Sequence, residues 1–396
     1  MTLGQHEERV TEAVWTESQL AWLAAVLTAG MGATRTWRVM RKLGDPKQIF
    51  TASLTELEGL GMPAQSAQFI FDGKARRAAE EEWNRVQENG GLILTPADEE
   101  YPERLREIYD PPAVLWIRGD VNLLSRPGIA VVGTRHPSIY GAGMAEVLSR
   151  DLAARGLTIL SGMARGVDTA AHKGALEARG KTVAVWGTGI DVIYPKENKR
   201  LAEQIVEGGG TIVSEYPLGT FPAPQNFPVR NRILSGLSVG VLVIEAAEHS
   251  GTRITARLAM EQNRDIYAVP GNVTNKNAWG PNTLIKQGAK LTATWEDVWE
   301  DLPSQIRLGL EEEAAGAGGN ESKAAEAASL FSEPRLSEHE RLILERLRQD
   351  EGTQLDELME QLEGQLGSAE IFTGLFELEL AGRVRQLPGK NYVRTM

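Results

Sequence analysis

Thr134 and Arg135 place a hydroxyl and a guanidinium directly behind Gly133, which ends the apolar run Ile129–Val132. Such a run suits a strand buried on both faces of a parallel sheet. A helical pattern resumes at about Met144. Strand, glycine turn and helix then make the opening half of a βαβ unit, with an anion site at the helix N-terminus. The chemistry on offer is phosphate binding. A turn that merely needs Gly133, with Arg135 solvated, is the competing account.

Glycines and hydroxyls recur at successive strand ends: Ser161-Gly162-Met-Ala-Arg165-Gly, Gly187-Thr-Gly, Ser214-Glu, Glu245 with Ser250-Gly251-Thr252, and Pro270-Gly-Asn. Their repetition indicates a phosphate-lined crevice at the carboxyl edge of the sheet, where open α/β folds bind ligands. No Gly-x-Gly-x-x-Gly follows the first strand, and no Gly-x-x-x-x-Gly-Lys-[Ser/Thr] occurs. A dinucleotide cofactor and an ATP-hydrolysing P-loop are both disfavoured, and no cofactor is expected. A nucleic-acid backbone or a nucleotide substrate remains.

The segment Gln225–Ser238 narrows this further. Pro228 suits the first turn of a helix, with Phe227 just outside it. Arg230 and Asn231 follow in that turn, Arg232 starts the second, and Ile233, Leu234 and Leu237 form the buried stripe. An aromatic ring beside guanidinium groups is the recurring chemistry of single-strand binding. Alternatively, Arg230 pairs with Glu215 or Glu245 to orient a loop, and Phe227 packs as a staple. For Arg232 both readings stand. Ser250-Gly251-Thr252 opens another helix with free N–H groups. Asp168 and His172, four apart on a helix, suit a helix-surface hydrogen bond better than an acid–base pair. Glu245 suits an orienting or structural acceptor better than a catalytic carboxylate, so no catalytic residue is assigned.

The chain has 396 residues, 42% hydrophobic and 24% charged, the composition of a soluble protein of two or three domains. It has no cysteine, which excludes disulfides, thiolate catalysis and zinc–thiolate sites. The five histidines, His6, His136, His172, His249 and His339, lack ligand-like spacing, so no metal site is expected. No apolar run has membrane-spanning length and no signal peptide is evident, so a cytoplasmic protein with no membrane contact is expected. The net charge of -12 argues against a diffuse nucleic-acid-coating surface. Any such contact must come from a local basic pocket.

Residues 1–16 read as a polar leader, followed to Phe71 by short helices and glycine turns of helix-hairpin-helix type. Arg35, Arg38, Arg41 and Lys42 supply the positive charge there, and a structural role is preferred to a phosphate-binding one. From Gly128 to about Leu302 strands and helices alternate, which implies an α/β fold with a Rossmann-like, doubly wound, mostly parallel sheet. Leu308–Pro334 is Glu-, Ala-, Gly- and Ser-rich and reads as a flexible linker. Three helices and a hairpin over Leu336–Arg394 make a winged helix. Its third helix carries Glu370, Glu377, Glu379 and no basic residue, which favours protein contact or regulation over duplex reading. The expected organisation is a helical helix-hairpin-helix/SAM-like domain over 1–90, a Rossmann-like DNA-binding domain over 91–306, a linker over 307–334 and a winged helix over 335–396.

Five motifs in order, Gly133-Thr-Arg-x-Pro-Ser-x-Tyr-Gly, Ser161-Gly-x-Ala-Arg-Gly-Val-Asp-x-x-Ala-His, Gly187-Thr-Gly-x-Asp-x-x-Tyr-Pro, Phe227-Pro-x-Arg-Asn-Arg and Ser250-Gly-Thr-x-x-Thr-Ala, resemble the DprA/Smf family of DNA-processing proteins. The resemblance covers the central domain, and the flanking domains resemble those of fuller-length members. It implies a non-enzymatic protein of natural transformation that binds and protects incoming single-stranded DNA and loads the RecA recombinase onto it. It also implies a homodimer joined through the Rossmann-like domain. Carried over by motif, Arg135, Phe227 and Arg230 are the DNA contacts, with Asn231 and Arg232 beside them. Gly133, Thr134, Ser161, Gly162, Arg165, Asn226, Ser250, Gly251 and Thr252 line the pocket, and Arg264 stands where members often have a basic residue. Arg253 departs from the family's pattern, in which an apolar residue is usual.

Two other functions compete. A nucleotide phosphoribohydrolase of the lysine-decarboxylase-like type resembles this fold, but it carries Pro-Gly-Gly-x-Gly-Thr where this chain has Glu245-Ala-Ala-Glu-His-Ser-Gly-Thr. A winged-helix transcription regulator is weakened by the acidic third helix.

Overall fold

Alternation along the strands decides how the chain is layered, because successive side chains of a strand point to opposite faces. In Gly128–Val132 (β3), Ile129 and Val131 face one helical layer while Ala130 and Val132 face the other. The computed structural model describes residues 15–248, 250–317, 337–348, 352–362, 364–380, 383–387 and 389–395.

Among the described residues, nine strands form the main sheet in the order β1-β2-β6-β5-β4-β3-β7-β8-β9. The remaining strands of this sheet are Leu92–Leu94 (β1), Leu115–Gly119 (β2), Thr158–Ser161 (β4), Thr182–Trp186 (β5), Thr211–Ser214 (β6), Gly240–Val243 (β7), Asp265–Ala268 (β8) and Lys290–Leu291 (β9). From β6 to β9 every neighbouring pair is parallel. β1 and β2 extend the same sheet antiparallel beyond β6.

Ile139–Ala153 (α7), Val167–Glu177 (α8) and Lys199–Glu207 (α9) cover one face, and Asn226–Leu237 (α10) and Thr252–Glu261 (α11) cover the other. α7 starts five residues before the expected Met144, because Ser138 caps it by accepting a hydrogen bond from the Gly141 amide. α10 starts at Asn226, which puts Phe227 and Pro228 inside its first turn rather than Phe227 outside it.

The N-terminal helices Glu17–Leu27 (α1), Ala33–Leu43 (α2), Leu54–Gly59 (α3), Ala64–Phe71 (α4) and Lys74–Glu88 (α5) share their core with the sheet, packing with Trp116, Ala184, Trp186 and Ile212. The buried Glu82 carboxylate of α5 accepts from Trp116 Nε1 (3.0 Å) and from the Leu218 amide (2.8 Å). This ties the helices to β2 and to the loop leading into α10.

The expected linker from residue 307 is corrected in its first part. Glu103–Arg106 (α6), Trp279–Lys286 (α12), Trp295–Trp299 (α13) and Ser304–Ala317 (α14) complete this unit, and Ile306 and Leu310 of α14 pack into the α7–α8 core. Residues 318–334 of that linker lie outside the described residues, as do residues 1–14 of the polar leader. Glu338–Arg346 (α15), Leu355–Gln361 (α16) and Ser368–Leu380 (α17) with Thr353–Gln354 (β10), Val384–Leu387 (β11) and Asn391–Arg394 (β12) form the winged helix around a separate core. Among the described residues no helix is long and apolar enough to cross a membrane, and no group of histidines and carboxylates is arranged to hold a metal ion.

Candidate nucleic-acid interface

The cleft opens where the carboxyl ends of the parallel strands meet the helix starts. Gly133 is required by close approach, since a Cβ there would run into Val167 of α8. Its neighbour Thr134 is pinned on both sides: its amide donates to Glu245 O (2.7 Å), and its carbonyl accepts from the Val167 amide (3.2 Å). With the backbone held from β7 and α8, Arg135 is left to project. Its guanidinium carbon lies 5.7 Å from the centroid of the half-buried Phe227 ring, within cation–π range. Tyr194 stands on Phe227 at 5.6 Å between centroids. Arginine, phenylalanine and tyrosine thus make a continuous stack at the mouth of the cleft.

Behind this stack lies Arg230, 6% exposed. One guanidinium nitrogen donates to Val185 O, and the group packs over Gly162, where any Cβ would overlap it. The Arg230 Nε is buried without a partner. No carboxylate is within ion-pair distance of Arg230 among the described residues. Burial lowers its pKa, opposed by the nearby Asp168. Asp168 in turn is pushed up by burial, opposed by Arg230 and by the amides of Ala164 and Gly162 that it accepts from. A buried cation without a direct counter-ion is costly, and a phosphate oxygen entering the cleft would supply one.

The main cleft encloses about 970 Å³ and brings together Gly133, Thr134, Arg135, Phe227, Arg230, Asn231, Ser250, Gly251 and Thr252. Gly162 and Arg165 line an adjoining recess of about 20 Å³ behind Phe227, room for about one water. Arg165 is also ion-paired to Glu197 on the surface. Ser250 Oγ bonds the Thr252 hydroxyl (2.9 Å) and accepts from the Thr252 amide (3.1 Å), which shapes the start of α11. Arg253 is not itself a lining residue but braces two that are, donating to Glu248 O (2.8 Å) with its guanidinium over Trp279.

Four of the expected site residues are not at the cleft. Arg232 is buried in a double ion pair with Glu215 (2.6 Å) and Asp110 (2.9 Å). Burial alone would lower its pKa, but those two carboxylates outweigh burial and raise it. Arg264 precedes β8 and so sits at the amino edge of the sheet, where it donates to Arg104 O (2.9 Å) and Gly236 O (3.1 Å). Ser161 is fully buried and donates to Val131 O (2.7 Å). Asn226 donates from Nδ2 to Gly187 O (3.0 Å), anchoring the start of α10.

Asp168 and His172 do not bond each other. Asp168 caps the Ser161–Gly166 turn, while His172 Nδ1 meets the Thr182 hydroxyl (2.7 Å). Glu245 is the expected structural acceptor, taking bonds from the Ser138 amide (2.8 Å) and hydroxyl (2.5 Å). His136, Tyr194, Lys276 and Trp279 also line the cleft, where sequence reasoning does not place them. Only Tyr194 carries a sequence signal, the Tyr-Pro that ends the Gly187-Thr-Gly motif.

A family model described as "DNA recombination-mediator protein A" matches residues 92–303, and one described as "DprA winged helix domain" matches residues 325–390. Protein Smf of Escherichia coli (strain K12) is 42% identical over 302 residues, covering 76% of this chain and 77% of its own. Protein Smf of Synechocystis is 33% identical over 404 residues, covering 95% and 98%. The X-ray structure of DNA processing protein A (DprA) from Streptococcus pneumoniae superposes at a TM-score of 0.64 with 34% identity, covering 73% of this chain and 99% of that one.

Proposed function

The chain belongs to the DprA/Smf family of DNA-processing proteins, and from that premise we propose that it binds and protects single-stranded DNA and loads RecA onto it during natural transformation and recombination. In this reading it acts without catalytic turnover, in the cytoplasm, as a homodimer joined through the Rossmann-like unit. The observation that carries the reading is the Arg135–Phe227–Tyr194 stack in front of the buried Arg230. Bases stack on aromatic faces only when unpaired, so this combination suits a single strand better than a duplex. Gly133, Thr134, Asn231 and the Ser250–Thr252 turn add polar groups where backbone phosphates would lie. Two clefts in a dimer would hold one strand together at raised effective concentration, a geometry suited to presenting DNA to a filament-forming recombinase.

The test is fluorescence anisotropy with labelled single- and double-stranded oligonucleotides over a salt series, for wild type and Arg135→Ala. Arg135 is the variant of choice because, among the described residues, its guanidinium supports no backbone group. Wild type is expected to prefer the single strand. Arg135→Ala is expected to bind it more weakly, with a log–log salt slope shallower by about 0.7 for each phosphate it no longer neutralises. Equal binding of both strands, or a variant indistinguishable from wild type, refutes the reading.

A further inference from the structure

The acidic net charge makes one helix conspicuous. The sequence of α2, Ala-Thr-Arg-Thr-Trp-Arg-Val-Met-Arg-Lys-Leu, contains no carboxylate. Thr36, Val39 and Met40 are buried, and every fully exposed position is Thr34 or one of the cations Arg35, Arg38, Arg41 and Lys42. At about 100° per residue these five positions fall within an arc of about 120°. Among the described residues none of the four cations is in an ion pair.

The nearest carboxylates in sequence are turned elsewhere. Asp45 accepts from the Lys47 amide, and Glu56 caps α3 through Ser53. Three of the cations are held in place: Arg35 donates to Gly30 O, Arg41 lies 5.3 Å over the Trp37 ring, and Lys42 donates to Leu60 O. Among the described residues Arg38 makes no such contact.

This face is linked to α10, the helix that carries Arg230, by a short chain of direct contacts. Trp37, under Arg41, donates from Nε1 to Pro111 O (2.8 Å). The preceding residue, Asp110, accepts from Arg232 Nε (2.9 Å), two residues along α10 from Arg230. The side chains of Tyr109 (95% exposed) and Phe221 (76% exposed) stand out from the two loops flanking this route.

We propose that the basic face of α2 is a second phosphate-binding surface, which takes the backbone of a single strand leaving the cleft. This rests on the cleft being a single-strand site and extends the footprint beyond it. Four cations over about 10 Å of helix can neutralise two or three successive phosphates, with arginine suited to bidentate contact.

The experiment compares oligothymidylates of about 6 and about 30 nucleotides, the shorter within the span of one binding fold. Wild type, Arg135→Ala and Arg38→Gln/Arg41→Gln are titrated by anisotropy over a salt series, with dimer content checked by sedimentation. The α2 variant is expected to bind the short strand like wild type. It should bind the long strand roughly ten- to thirtyfold more weakly at 0.1 M salt, with a slope shallower by about 1.4 for two phosphates no longer neutralised. If it binds the long strand like wild type while Arg135→Ala weakens on both, the inference fails and the cleft reading stands. Equal losses of affinity on both lengths also overturn the inference, since α2 would then not be a separate extension. If wild type binds neither length, both fall. A loss confined to a control duplex of about 30 base pairs overturns the assignment to a single strand.

Discussion

Arg230 carries two loads at once, which changes how it should be tested. Its guanidinium lines the cleft, yet it also closes the end of β5 through Val185 O and covers Gly162. Truncating it to alanine would leave a carbonyl unpaired and a void beside Asp168, so weaker binding would be mixed with lower stability. Arg135 lacks that second load.

His172 is the residue whose charge state the fold decides most firmly. The single Thr182 hydroxyl hydrogen goes to Ile159 O (2.7 Å), so His172 Nδ1 must be the donor to Thr182 and Nε2 a bare, buried acceptor. Burial, with Arg230 adding repulsion, pushes its pKa down to about 3 from 6.5. Between those values the unfolded chain binds a proton that the folded chain refuses. Stability from this group is therefore full above pH 6.5 and declines as pH falls, by up to about 1.4 kcal/mol per pH unit. The buried Asp168 and Glu215 have raised pKa values and tilt stability the opposite way, but they are common to both proteins in the comparison. His172→Asn should be less stable than wild type by about 1–2 kcal/mol at pH 8. In urea unfolding the gap should close between about pH 5 and 6 and reverse at lower pH, since wild type loses up to about 1.4 kcal/mol per unit below 6.5, and a pH-independent gap would contradict a neutral buried imidazole.

At the scale of elements, α7 and α8 pack backbone against backbone at a point away from the cleft lining. A Cβ on Gly174 of α8 would overlap the Glu146 carbonyl of α7, a backbone group that cannot rotate away. Gly174→Ala is therefore expected to force the two helices apart and cost about 1–3 kcal/mol, despite alanine's better helix propensity. Chemical denaturation should show the destabilisation, while single-strand affinity per folded molecule stays within about twofold, since Gly174 lies outside the cleft lining and distant sites act independently. Gly141 plays the matching part on the other side of α7, where a Cβ would strike the Glu245 carboxylate. Gly141 and Gly143 are poor helix formers just ahead of Met144, which is why the pattern puts the helix start too late. For Gly141 the reason for being glycine lies about a hundred residues away in the chain, at Glu245.

For the whole molecule, the winged helix stands on its own core, with Ile343, Leu358, Ile371 and Leu378 buried among one another and none of them in the sheet's clusters. Its third helix, α17, exposes Phe372, Phe376, Glu377 and Glu379. Acidic groups on that helix are repelled by phosphates, so ending the chain after Ala317 should leave single-strand affinity unchanged or slightly raised at low salt. A large drop in the same anisotropy assay would place a DNA contact in the winged helix after all.

The sequence by itself determined the layered α/β fold, because local alternation and glycine punctuation are written into each segment. The run Ile129–Val132, expected as a buried strand, lies in β3, and the glycine and hydroxyl turns fall at the strand ends. It also determined most of the cleft, since Arg135, Phe227 and the Ser250–Thr252 turn come from motifs short enough to be read in one dimension. Tertiary structure alone decided which cations line the cleft. Arg230 and Arg232 are two residues apart on α10 and indistinguishable by pattern, yet one lines the cleft and the other is held by Asp110 and Glu215. Arg264 goes to the opposite edge of the sheet in the same way, and β2 joins that sheet by pairing with β6, about ninety residues later in the chain. The physical reason is common to all of these. A buried charge or an unpaired strand edge is satisfied by whichever group the fold brings near, and sequence separation says nothing about which group that is.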